Sequence, residues 1–228
     1  MHTFFKQPKS TNVIPKDNYK SQPHLPSNFS KEETEILLKS VDRGNPKGKR
    51  DYAILLLATK LGLRASDIGE LKFENILWER SLITFEQRKT GKRIDLPLLP
   101  EIGNATIDYM KHGRPVSDES YCFLHVQSPY ERIHTSDIKS LVHFHLKRAG
   151  INCKNRRHGP HALRHSFAGN LLRGITPLPV ISEALGHSSC ESTMYYLRID
   201  IDSLRQCALN VPLVPSSFYE QEGGTFHE

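Results

Sequence analysis

His161-Ala162-Leu163-Arg164-His165-Ser166-Phe167-Ala168, then Leu185-Gly186-His187, then Ser192-Thr193-Met194-Tyr195-Tyr196, is the stretch on which the reading of this chain turns. It sets imidazoles, a guanidinium and two adjacent phenols between short helical segments. Arginine forks match phosphate oxygens, histidine exchanges protons near neutral pH, and tyrosine can act as a nucleophile. His161 and Arg164, three apart on one predicted helix, project to the same side. His187 follows a glycine at a helix-to-turn junction, where a side chain can be aimed into a cleft. The inventory suits attack on a phosphodiester.

Working outward, the segment before this stretch alternates helical and strand periods. Ser30-Lys31-Glu32-Glu33 is a capping box that opens a helix to about Val41, with Ile36 and Leu37 on its inner side. Asp42 to Pro46 is a turn, and a second helix is predicted over 49–61. Its continuous apolar run over 53–58 predicts burial all round, and Gly62 ends it. A short helix over 64–71 follows. Three short strands come next, over 75–78, 81–86 and 93–98, with Ile94, Leu96 and Leu98 alternating with Arg93, Asp95 and Pro97. Thr90-Gly91 makes the turn between the second and third. Helices resume over 100–111, 136–149, 160–172, 179–185, 189–196 and 201–209, with an extended piece over 121–126. The fold class is therefore mainly α with one small three-stranded antiparallel sheet.

These motifs resemble the tyrosine recombinases, the phage-integrase family, over roughly residues 30 to 200. His161-x-x-Arg164-His165-Ser166-Phe167-Ala168, Leu185-Gly186-His187 and a tyrosine nine positions further on match the C-terminal signature of that family. Gly62-Leu63-Arg64 resembles the box that supplies its first catalytic arginine, and Asp67 falls where it carries a buttressing acid. Lys89 matches the lysine it presents on a β-hairpin, with Lys92 as the rival position. Tyr196 matches the nucleophile by its spacing from His187, with Tyr195 as the alternative; His165 reads as structural. The resemblance implies the tyrosine-recombinase catalytic-domain fold and a chemistry that requires no metal or nucleotide cofactor. In it, Arg64, Arg164 and His187 hold the scissile phosphate, and Tyr196 attacks to leave a 3′-phosphotyrosyl intermediate. His161 accepts the phenol proton or orients the phosphate, and Lys89 protonates the departing 5′ oxygen. It also implies double-stranded DNA as partner and a homo-multimer on DNA, a tetramer in the synaptic complex, with another recombinase subunit or an accessory factor as a further partner. The division expected is a flexible arm over 1–28, the catalytic domain over 29–210 and a tail over 211–228. The family usually places a helical DNA-binding domain before the catalytic one. Here about 28 linker-like residues precede it, which reads as a fragment or as a single-domain recombinase.

The bulk numbers agree with such a partner. The 228 residues carry a formal net charge of +6, which permits a polyanionic ligand. Three basic clusters supply the candidate DNA contacts: Lys49 and Arg50; Arg88, Lys92 and Arg93; Arg156 and Arg157. The longest apolar run is too short to span a bilayer, and no secretory signal opens the chain. Four cysteines without CxxC pairing read as reduced thiols in a cytosolic protein. Ser136-x-x-Lys139 and Lys89-Thr90-Gly91 mimic the boxes of serine β-lactamases, but in reversed order and without the Ser-Asp-Asn box. A zinc site fails because His143 and His145 face different sides of their helix. Two other functions stay open: a non-cutting DNA-binding regulator of recombination, and type IB topoisomerase-like nicking and closing.

Overall fold

The apolar run over 53–58 becomes the axis of the molecule. It lies in α2 (Pro46–Lys60), where every residue from Ala53 to Ala58 is at most 1% exposed. The helix is apolar all round because neighbours cover it on all sides: α1 (Lys31–Lys39), α3 (Ala65–Gly69), α4 (Pro100–His112), α5 (Thr135–Arg148) and α6 (Pro160–Arg173). A last helix, α7 (Leu178–Leu185), packs on α6 through Ala168, Ile181 and Leu185. This computed structural model describes residues 28–154, 156–187 and Thr193. Among the described residues no helix is long and apolar enough to cross a membrane.

Local chemistry sets the element ends. The capping box of α1 forms as expected: Ser30 Oγ accepts from the Glu33 amide at 3.1 Å, and the Glu33 carboxylate accepts from the Ser30 amide at 2.8 Å. Ile36, expected on the inner side, is instead 49% exposed, and Leu37 and Leu38 take the buried positions. Helix α2 starts three residues earlier than its apolar pattern indicates. Asn45 caps it by accepting from the Gly48 amide at 2.8 Å, and Pro46 occupies a first-turn position that needs no amide donor. Lys49 and Arg50, expected at its first turn, therefore sit one turn inside the helix.

The sheet is antiparallel in the order β1-β2-β3: β1 (Ile76–Leu77), β2 (Leu82–Glu86) and β3 (Arg93–Pro97). Ile83 faces Leu96 and Phe85 faces Ile94 across the ladder, so Ile83, Ile94 and Leu96 line the core side while Arg93, Asp95 and Pro97 face out. Pairing continues one step past the strands, with the Gln87 amide donating to the Lys92 carbonyl at 2.9 Å. The turn is thus four residues, Arg88 to Gly91, and Gly91 takes the left-handed conformation at φ 62°. The expected extended piece over 121–126 contains two single bridges, Lys72 to Tyr121 and Leu124 to Arg132. Its Cys122, Phe123 and Leu124 are fully buried, with Phe123 stacked on Tyr109. Burial pushes the Cys122 thiol up to about 12, so it behaves as a small apolar side chain. The predicted helices over 189–196 and 201–209, and the arm and tail, lie outside the described residues apart from Asn28 and Thr193.

Candidate active site

Two glycines let the chain bring distant segments together. Gly62, at φ 62°, ends α2, and a Cβ there would lie 2.5 Å from Cδ1 of Phe167 on α6. The Gly62 carbonyl accepts from Arg164 Nη1 at 2.7 Å, and Arg64, two residues on, caps α3. Gly186, at φ 61°, ends α7 and turns the chain to His187. The preceding carbonyl, Leu185, accepts from Arg164 Nη2. Arg164 is only 3% exposed and is thereby clamped between the end of α2 and the end of α7. These are the boxes singled out in the sequence, and two backbone carbonyls tie them to one guanidinium.

Arg64, Lys89, His161 and Arg164 line one cleft of about 810 Å³. Lys92, the rival lysine, is exposed but does not line it. Asp67 lies behind Arg64 and is 3% exposed. One of its oxygens accepts from the Arg88 amide at 3.4 Å and from Ser66 Oγ at 3.3 Å, so it also braces the hairpin that carries Lys89. Its other oxygen stands 3.8 Å from Arg64 Nη1. Neither that oxygen nor that nitrogen has a hydrogen-bond partner among the described residues. Burial pushes the Asp67 pKa up while the Arg64 charge opposes it. Arg64 is thus backed by a buried carboxylate while it lines the cleft.

The imidazoles are held neutral. Burial first, then Arg164, Lys89, Arg157 and Arg64, lowers the pKa of His161. Burial, with Arg164, Arg64, His161 and Lys89, brings His187 down to about 4. His165 also falls to about 4, through burial and then the neighbouring His161, whose ring meets it edge-on at 4.4 Å. Neutral imidazole can accept a proton or share one in a hydrogen bond. The His187 ring is held by a 2.8 Å hydrogen bond between Nδ1 and the hydroxyl of Thr193, which is fully buried. Tyr196 and its alternative Tyr195 lie outside the described residues.

The basic clusters divide sharply. Arg50, expected as a DNA contact, is 5% exposed. Its guanidinium donates to Asp51 and to the Leu124 carbonyl, because the position falls on a buried face of α2. That expectation is therefore corrected. Lys49 is held by Asp108 of α4 at 2.7 Å. Arg156 grips both oxygens of Glu33, the Asn28 carbonyl and the face of Phe29. Arg88, Lys92, Arg93 and Arg157 are exposed, Arg88 and Arg93 with acidic neighbours at 3.3 and 3.6 Å. The basic wall beside the catalytic candidates is another one, formed by Lys139, His143 and Lys147 of α5. Their spacing of four on a predicted helix is a signal that basic-cluster counting misses.

A mainly helical domain with a three-stranded hairpin sheet, and a cleft where two arginines, a lysine and His161 converge, is suited to hold a phosphodiester. The chain belongs to the phage integrase family, whose model matches residues 27–202. It is 35% identical to a putative integrase/recombinase, y4gC, of Sinorhizobium fredii, covering 82% of this chain and 97% of that relative. Two other putative integrase/recombinases of that organism are longer, and the chain spans 45% and 47% of them. Among solved structures, an XerA recombinase superposes with a TM-score of 0.68 at 26% identity, over 83% of this chain and 64% of that one. An XerH site-specific recombinase bound to a palindromic difH substrate, in a post-cleavage complex, shares the fold with a TM-score of 0.70 at 20% identity, over 92% and 59% of the two chains.

Proposed function

We propose that this chain is a site-specific DNA recombinase that cleaves and rejoins strands through a 3′-phosphotyrosyl intermediate on Tyr196. The observation that carries the proposal is the convergence of Arg64, Arg164, Lys89 and His161 on one cleft. In the reaction, the Tyr196 oxygen forms a bond to the scissile phosphorus while the bond from phosphorus to the 5′ oxygen breaks. The two arginines hold the non-bridging oxygens as charge builds on them, an oxyanion site made of guanidinium donors. His187 adds a hydrogen bond to the same oxygens. Neutral His161 accepts the phenol proton, and Lys89 gives a proton to the departing 5′ oxygen. The ester keeps the energy of the broken bond, so a second 5′ hydroxyl can attack it and rejoin the strands.

Double-stranded DNA is the partner this chemistry requires, and Lys139 and Lys147 add positive charge to the wall of the cleft. A homo-multimer on DNA, tetrameric at synapsis, accounts for exchange between two duplexes, with the residues beyond about Asp200 docking on a neighbouring subunit. The test is covalent trapping. The full chain is mixed with nicked duplexes bearing sequences selected for binding from a randomised pool, and adducts are resolved on denaturing gels. Wild type and Tyr195→Phe give a protein–DNA adduct, and Tyr196→Phe gives none while still binding DNA. An adduct from Tyr196→Phe with none from Tyr195→Phe reverses the assignment. DNA binding without any adduct from wild type returns the chain to the non-cutting regulator.

A further inference from the structure

Gln87 lies at the base of the lysine hairpin, is only 3% exposed, and belongs to none of the motifs discussed so far. Its amide nitrogen donates to the Leu185 carbonyl at 3.1 Å, the oxygen that also accepts from Arg164. Its amide oxygen accepts from Thr90 Oγ1 at 2.9 Å, next to Lys89. Its backbone closes the same turn, with the amides of Thr90 and Gly91 both donating to its carbonyl, at 3.3 and 2.8 Å. Gly186 lies flat against this amide: a Cβ there would stand 2.5 Å from both Nε2 and Oε1. One neutral side chain thus joins the turn that carries Lys89 to the turn that presents His187, through the carbonyl that orients Arg164.

We propose that Gln87 is a positioning residue: it sets the hairpin so that Lys89 reaches the departing oxygen, in register with the phosphate held by Arg164. A buried primary amide suits the task because it donates and accepts at once and brings no charge into a site already rich in cations. An exposed four-residue turn has few contacts of its own to fix it. Displacement of about 1 Å is enough to cost on the order of 10²-fold in rate. The proposal rests on Lys89 being the proton donor.

The experiment separates the two claims by changing the leaving group. Single-turnover cleavage is measured on a selected, nicked duplex whose scissile linkage carries either the normal 5′ bridging oxygen or sulfur in its place. The phosphorus–sulfur bond breaks to a thiolate, which leaves without a proton because thiols ionise near pKa about 8.5. Gln87→Leu keeps the side chain's size and removes both hydrogen bonds, and Gln87→Met is the second variant. The expected result is a loss of roughly 10- to 100-fold on the oxygen substrate, most of it regained on sulfur. Lys89→Ala should show the same pattern and Arg164→Ala should stay slow on both. Wild-type cleavage of the oxygen substrate by both Gln87 variants overturns the proposal. Slow cleavage of both substrates by both variants, with Lys89→Ala restored by sulfur, assigns Gln87 to the fold alone and overturns it too. If sulfur fails to restore Lys89→Ala, the proton-donor assignment itself is wrong and the proposal falls with it.

Discussion

Arg50 and Arg64 stand at opposite ends of the helix-and-turn unit that crosses the core, each beside a buried aspartate. In the Arg50 region the guanidinium is consumed by the protein. Nε and Nη2 both donate to Asp51 Oδ1, Nη1 donates to Leu124, and the other Asp51 oxygen receives His145 at 3.1 Å and Lys47 at 3.3 Å. Burial alone would raise the Asp51 pKa, but His145, Arg50 and Lys47 together hold it below the usual range. In the Arg64 region the ion pair is long, one donor and one acceptor stay unmatched, and the aspartate pKa moves up. The first arrangement fixes α2 to α5 and to the 121–133 segment. The second leaves a buried nitrogen and a buried oxygen unmatched among the described residues, behind the cleft that Arg64 lines, at a cost in stability that a purely structural residue would not carry.

The contrast predicts opposite phenotypes. Arg50→Ala removes one member of a buried charge network and should destabilise the fold by on the order of 3 kcal/mol, measured by denaturant melts, while the folded fraction keeps its cleavage rate. Arg64→Ala should melt within about 1 kcal/mol of wild type. Equal destabilisation by both would erase the distinction between the two arginines.

The same division applies to the surface cations. DNA affinity should fall steeply with salt, the log–log slope dropping by about 0.9 per phosphate contact removed. Replacing Lys139 and Lys147 by glutamine should therefore flatten the slope by nearly two units on that rule, and Lys49→Gln should leave it unchanged. A slope that responds to Lys49 and not to the α5 pair would put the DNA path elsewhere.

The smallest effect is in pH. His165 and His187 have folded pKa values of about 4 against an ordinary 6.5, so the unfolded chain binds more protons between those values. Stability is then full above pH 6.5 and declines as pH falls towards 4. Thermal melts across that window should show the decline, and His165→Phe should make it shallower. A flat profile would mean that the fold does not hold these two imidazoles neutral.

Much of this was legible in the residues, for identifiable reasons. The α2 core run, the hairpin alternation and the His161 to His187 boxes are local patterns, and local patterns survive folding. Arg50 belongs to a basic cluster in the sequence, and only its partners, Asp51 and the distant Leu124 carbonyl, turn it into a core residue. Arg156 looks identical to Arg157 in sequence, and only the non-local Glu33 and Phe29 distinguish them. Gln87 gave no signal, since its partners are a carbonyl some hundred residues away in the chain and a neighbouring hydroxyl. The wall of α5 was readable in principle from the spacing of Lys139, His143 and Lys147.

The central claim is that Arg64, backed by Asp67 and lining the cleft, neutralises charge on a non-bridging phosphate oxygen. The direct measurement is single-turnover cleavage by Arg64→Ala on two selected, nicked duplexes, one with a normal scissile phosphate and one with a methylphosphonate, in which a methyl group replaces a charged oxygen. The account predicts a loss on the order of 10²-fold or more on phosphate, with much of the rate regained once the charge is gone. Wild-type cleavage of phosphate by Arg64→Ala, or an equal loss on the uncharged linkage, would contradict it.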